Sequence, residues 1–373
     1  MSGSAIVVGA GIFGTSIADH LAGAGWRVEL IEQYHPGHAR QSSGGETRLI
    51  RYGHGPDAWH TAMAWRARAL WTEIEADTGA DLLVPSGLVW FGAAIPWVVK
   101  SHDTMVRLGI PSEVIGDAEL RKLFPSVDTS DVPGALYEPE AGVLRAAQAV
   151  SVLADRARRR GATITVGRAA PVGAGVAVDG QSRSADVVVW ACGPWLPRLF
   201  PDVVQATVTR QEVVFFGVGP EWAAPGVPGW IDHDHAMYGT GDVAGKGFKA
   251  ASDIDGPAFD PDHGDRIPDA AAVEHCRRYL AKRFPGIADA PVSLTRTCQY
   301  TSTADGRWIV APHPDHDGVW IVGAGSGHGF KHGPALAEHV ASLIEGAEQP
   351  RPELGLGRRS AGGGFRTSQA SAG

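Results

Sequence analysis

Ala5-Ile6-Val7-Val8-Gly9-Ala10-Gly11-Ile12-Phe13-Gly14 is the stretch on which the fold turns. Four apolar residues suited to a buried strand run into Gly-x-Gly-x-x-Gly, and helical spacing continues through His20-Leu21. A second strand, Arg27 to Ile31, ends at the acidic Glu32. Strand, glycine turn, helix and acid in this order predict a dinucleotide cradle. Gly9 allows the tight turn, Gly11 lets backbone approach a pyrophosphate, and Gly14 lets helix and strand pack closely. The amides of Ile12 and Phe13 open the helix, where an anion is welcome. Glu32 is placed to accept ribose hydroxyls, which argues against a 2'-phosphate.

Working outward, Gln41-Ser42-Ser43-Gly44-Gly45-Glu46-Thr47-Arg48 is a polar, glycine-rich loop of the kind that lies close to a ligand. Apolar spacing predicts helices over Asp57 to Thr78, Ser101 to Leu108, Ala146 to Arg160, Ala270 to Phe284 and Pro334 to Ile344. Leu82 to Phe91, broken by Pro85-Ser86-Gly87, reads as a hairpin. Thr163 to Val166, Asp186 to Trp190, Gln211 to Val218, Val292 to Tyr300 and the apolar Val319 to Val322 read as strands, that at 186 of the buried parallel type. Gly219 to Gly229 and the acidic Asp253 to Asp269 read as loops. The last strand enters a second glycine-rich turn, Gly323 to Lys331. Late return to the dinucleotide fold favours FAD over a nicotinamide.

The expected fold is mixed α/β with two domains. A discontinuous Rossmann-like FAD domain takes residues 1–85, 142–210 and 305–350; a mostly antiparallel substrate domain takes 86–141 and 211–304; and 351–373 form a flexible tail.

A chain of 373 residues, 44% hydrophobic and 20% charged, can bury a large core. Its net charge of -8 gives no nucleic-acid footprint. No apolar run reaches membrane length, and the N-terminus passes from Met1-Ser2-Gly3-Ser4 directly into a strand, so the expectation is a cytoplasmic protein with neither nucleic acid nor membrane as partner. Cys192, Cys276 and Cys298 make neither a disulfide framework nor a metal spacing. His233-Asp234-His235 and His313-Pro314-Asp315-His316 lie in loops without ligand spacing, so no metal is expected. The arginines at 156 and 158–160 suit a helix C-terminus.

Five dispersed motifs then fall in register with one family. Glu46-Thr47-Arg48-Leu49-Ile50-Arg51, Trp190-Ala191-Cys192-Gly193-Pro194-Trp195, Gly247-Phe248-Lys249, Arg296-Thr297-Cys298-Gln299-Tyr300-Thr301 and Gly327-His328-Gly329-Phe330-Lys331 resemble monomeric sarcosine oxidase and its amine-oxidase relatives from the first residue to about 345. The resemblance implies FAD joined covalently to Cys298, whose thiolate neighbouring Arg296 would favour. It implies Ser43, Thr47, Gly193, Trp195, Gly327, Gly329, Phe330 and Lys331 at the cofactor, and Arg48 beside the flavin ring. Arg51 and Lys331 would bind a substrate carboxylate, Tyr238 and Tyr300 would line its pocket, and Lys249 would activate O2 by electrostatics.

The implied reaction takes hydride from the carbon beside a secondary amine to flavin N5, gives an imine that hydrolyses, and returns electrons to O2 as hydrogen peroxide, in a monomer whose partners are an amino or imino acid and O2. Two departures from the family pattern bear on the substrate. Asp253 stands where sarcosine oxidase has a histidine, and Gly44-Gly45 lacks a neighbouring one. They keep open an oxidase of a cyclic imino or amino acid of pipecolate or piperideine-carboxylate type, with Asp253 in the catalytic set. A flavin dehydrogenase with another acceptor is the further alternative.

Overall fold

The computed structural model describes residues 3–92, 94–357, 359 and 360. A six-stranded sheet runs in the order Ile309–Pro312, Val319–Gly323, Val187–Trp190, Ser4–Val8, Arg27–Glu32 and Thr163–Val166. All its pairings are parallel except that of the outer strand Ile309–Pro312. These are the continuous apolar runs that a sheet covered on both faces needs. Helices Ile12–Gly23, Ala146–Arg159 and Gly333–Ile344 bury their apolar sides in one core with the sheet.

The opening turn has the geometry its glycines dictate. Gly9 has φ +98, and a Cβ there would lie 2.6 Å from the Ala191 carbonyl oxygen; a Cβ on Gly14 would lie 1.8 Å from the Gly9 oxygen. Neither position has room for a side chain.

An eight-stranded sheet forms the other domain, in the order Val292–Ser302, Thr207–Phe216, Phe248–Ser252, Met237–Thr240, Gly229–Asp232, Leu88–Phe91, Ala135–Glu138 and Glu113–Ile115. It is antiparallel but for the pairing of Gly229–Asp232 with Leu88–Phe91. A small sheet of Thr47–Ile50, Gly142–Arg145 and Leu83–Val84 stands at the crossings between the two. Mixed α/β architecture in two domains is therefore the fold.

Several elements differ from expectation. The hairpin over 82–91 does not form: Leu83–Val84 joins the small sheet and Leu88–Phe91 the large one. Pro85-Ser86-Gly87, with Gly87 at φ +70, redirects the chain between them. The helix expected from Ser101 begins at Pro96, because proline at the first turn fits a helix start. The strand expected from Gln211 starts at Thr207, paired throughout with Val292–Ser302. The loop over 253–269 forms no helix or strand, but it is not wholly exposed, since Pro261 is buried and Asp262 is bonded to the other domain. The expected tail starts packed: Pro352–Leu354 is a 3-10 turn that buries Leu354, and Arg359 bonds the carbonyls of Arg307 and Trp308. Residues 361–373 lie outside the described residues. No helix among the described residues is long and apolar enough to cross a membrane.

Candidate functional site

Two cavities meet at Arg48, Tyr300, Gly327 and Phe330. The first, of about 190 Å³, runs along the carboxyl ends of the parallel strands, where ligands bind in open α/β sheets. Gly9, Gly11, Ile12, Phe13, Glu32, Ser43, Gly193, Trp195, Gly327 and Gly329 line it. Gly14 and Thr47 do not; Gly14 acts through helix packing, and the Thr47 backbone carbonyl accepts a hydrogen bond from Lys249 Nζ at 3.3 Å.

Glu32 is buried at the strand end, where its Oε2 accepts the Ala10 amide at 2.8 Å and its Oε1 lies 3.2 Å from His38 Nε2. Ser43 Oγ accepts the Ile12 amide at 3.0 Å, doing for this helix what an N-cap side chain does. Trp195 donates its indole N–H to Asp262 at 2.8 Å. Gln41, Ser42, Arg168 and Arg198 complete the wall. A cavity lined by the glycine backbone of the first turn and by a buried acid at the strand tip fits a dinucleotide.

The second cavity, of about 90 Å³, lies between the sheets. The family motifs bring Arg48, Arg51, Lys249 and Lys331 to it, from three separate stretches, with Asp253, Tyr238, Tyr300, Phe330 and Cys298. Lys249 is buried on Phe248–Ser252, its ammonium 5.2 Å from the Tyr238 ring centre. Burial, helped by the nearby Arg48 charge, lowers its pKa to about 7. Lys331 Nζ donates to the His328 carbonyl at 3.1 Å, and burial pushes it well below the ordinary lysine range, with Arg51 acting in the same direction. Arg51 is buried, donates to the Gly53 carbonyl, and stacks on Trp90 at 5.0 Å and Trp97 at 6.0 Å. Tyr238 and Tyr300 share a hydrogen bond of 3.0 Å between their hydroxyls, and burial raises Tyr238 to about 12.

Cys298 faces this cavity, nearly buried. The cation at its sulfur is not the one expected. Arg296 is taken up by Glu46, through bonds of 3.0 and 2.6 Å, whereas Arg48 Nη2 lies 3.6 Å from Sγ. The same Arg48 nitrogen holds the Ser42 and Gly44 carbonyls at 2.7 Å, so it ties the glycine-rich loop to the sulfur. Trp90, Trp97, Gln211 and Ile231 also line the cavity from outside the five motifs and carry no local signal, whereas His328 lines it from within the Gly327–Lys331 motif.

Buried His54, His328 and His332 offer ring nitrogens within 4.8 Å of one another. A dication among them would stand beside Lys331 and Arg51, whose charges already oppose protonation of all three rings, with no carboxylate in the set. They make a neutral floor under Lys331.

A family described as FAD dependent oxidoreductase matches residues 4–343. Among relatives, monomeric sarcosine oxidase of Streptomyces avermitilis is 31% identical over 366 residues, covering 91% of this chain and 92% of that protein. Monomeric sarcosine oxidase of a Bacillus species is 26% identical, with 91% of each covered. Among solved structures, L-proline dehydrogenase from P. horikoshii superposes with a TM-score of 0.84 at 20% identity, covering 94% of this chain and 95% of that one, and speaks for the fold.

Proposed function

Since the chain belongs to the FAD dependent oxidoreductase family, we propose that it is an FAD-dependent oxidase of secondary amines of the N-methyl amino acid type, with O2 as acceptor. The observation that carries this reading is the second cavity, where two buried cations suited to a carboxylate and a third buried lysine, its pKa lowered by burial to about 7, surround an aromatic slot beside the dinucleotide cavity. The FAD domain in this reading takes residues 1–85, 142–210 and 305–350, which hold every strand of the six-stranded sheet.

Gly9, Gly11, Ile12, Phe13, Glu32, Ser43, Gly193, Trp195, Gly327 and Gly329 hold the cofactor, with Gly14 and Thr47 supporting them from behind. Bound FAD supplies the two-electron oxidation of the C–N bond and the return of those electrons to O2 as hydrogen peroxide. Cys298 is the site of covalent attachment, with the Arg48 guanidinium 3.6 Å from its sulfur.

Arg51 offers its planar guanidinium, and Lys331 a point charge, to the substrate carboxylate. The paired tyrosines and Phe330 close the slot around the amine and exclude water. Lys249 keeps a fixed cation where charge develops on O2. Its proton stays on Nζ throughout, so its work is electrostatic.

Anaerobic mixing of the yellow holoenzyme with a panel of N-methyl amino acids tests the reading. Bleaching of the flavin by at least one member is expected; a panel that leaves it yellow overturns the substrate class. A second reading, a cyclic imino or amino acid oxidase, is favoured by one observation, the carboxylate of Asp253 on the cavity wall. Turnover on pipecolate exceeding that on N-methylglycine would select it.

A further inference from the structure

Two of the groups that hold the Arg51 guanidinium share a third. Its Nη1 donates to the carbonyl of Gly53, and its central carbon lies 5.0 Å from the centre of the Trp90 ring. Glu138 grips both supports. Its Oε1 accepts the Gly53 amide at 3.2 Å and the Trp90 indole N–H at 2.6 Å, while Oε2 accepts the Tyr52 amide at 2.6 Å. The carboxylate ends the strand Ala135–Glu138, pairs in register with Leu88, two residues from Trp90, and is 0% exposed. A Cβ on Gly53 would sit 3.2 Å from Oε1, a tight contact that glycine avoids. All three hydrogen bonds to its oxygens are accepted, as an ionised carboxylate requires.

Burial of this kind is costly unless the charge has work to balance it. Burial raises the Glu138 carboxyl, and the Arg51 charge with the Tyr52, Gly53 and Trp90 donors pulls it back. In return Glu138 opposes the loss of charge at both Arg51 and Lys331.

We propose that Glu138 is the positioning residue of the substrate-carboxylate site: one buried carboxylate fixes the Trp90 ring and the Gly53 backbone between which the Arg51 guanidinium is set, and supplies the anion that keeps the cationic pair in place. Glu138 does not line the cavity and acts through Arg51. The inference rests on the reading that Arg51 binds the substrate carboxylate, so its test separates the two.

Acetate, a carboxylate that needs no turnover, is titrated into the holoenzyme and followed by flavin absorbance, with acetamide as the neutral counterpart. Glu138→Gln keeps the size and removes the charge, and should weaken acetate about tenfold or more, as breaking a buried charge network does, while acetamide binding stays as in the parent. Arg51→Gln should weaken acetate at least as much. If Arg51→Gln leaves acetate binding unchanged, the carboxylate-site reading falls and takes the proposal with it. If Arg51→Gln weakens acetate and Glu138→Gln does not, or if Glu138→Gln weakens acetate and acetamide alike, the proposal alone falls. Should Glu138→Gln not retain flavin, Trp90→Phe decides: it keeps a ring over Arg51 and deletes the N–H bonded to Glu138, so acetate should weaken roughly threefold, and an unchanged affinity overturns the role.

Discussion

Cys298 and Lys249 share one cavity wall, yet their environments ask different things of them. The sulfur has a guanidinium 3.6 Å away, and Cys298→Ala should convert a protein whose colour stays with the denatured polypeptide into one that releases all of it on acid precipitation. Lys249 carries two opposite pH trends. With its folded pKa near 7 against an ordinary 10.5, the folded protein loses this proton above pH 7 while the unfolded chain keeps it to about 10.5. In that window the unfolded state binds more protons, so stability rises with pH, whereas below 7 the desolvated ammonium counts against the fold. Reoxidation by O2, which needs the cation, should fall as pH rises through 7. In Lys249→Met both trends should flatten, and reoxidation should be slow at every pH, by about a hundredfold for loss of one fixed charge at a reacting centre. Stopped-flow reoxidation and thermal melts from about pH 6 to about pH 10 check both.

Element by element, the sequence was most readable where structure is local. The first turn follows from glycine sterics within ten residues, and Gly14→Ala tests it directly. Its Cβ would overlap the Gly9 carbonyl, and because helix and strand are both fixed by the core, the overlap should cost about 3 kcal/mol and abolish incorporation of the flavin before it can be attached. A melt and the flavin-to-protein ratio measure it; an alanine variant that keeps its flavin would falsify the packing role given to Gly14. Strands at 186 and 319 were legible for the same reason, as continuous apolar runs. The hairpin at 82–91 was misread because two β-rich runs around Pro-Ser-Gly look alike whether they pair with each other or with distant strands. Arg296 was misassigned on similar grounds. Two positions along a strand put it on the Cys298 side, but Glu46, 250 residues away in sequence, takes its guanidinium. Glu138, Trp90 and Trp97 had no local signal at all. They matter through Arg51, and that relation exists only once two strands, a helix and a loop meet.

On the scale of the whole molecule, the domains are tied across the cofactor cavity by the loop over 253–269. Asp262 reaches from it to the opposite wall, where its carboxylate accepts the Trp195 indole at 2.8 Å and Arg198 at 2.9 Å, and its carbonyl accepts Arg40 at 2.9 Å. Arg198 is about half exposed, so its ion pair is screened and contributes little. The indole bond is better protected and should contribute about 1 kcal/mol. Trp195 and Arg198 also line the cavity, so Asp262→Ala should loosen that wall without disturbing either sheet. In the parent protein a covalent flavin would hide the effect, because the cofactor has no route out. The informative comparison is therefore made in the Cys298→Ala background, where FAD binds reversibly. There Asp262→Ala should weaken FAD roughly fivefold, the equivalent of about 1 kcal/mol, and lower the melting temperature only slightly. Fluorescence titration of the apoprotein with FAD reads the affinity. An affinity equal to that of Cys298→Ala alone would show that the loop joins the domains without bracing the cofactor wall.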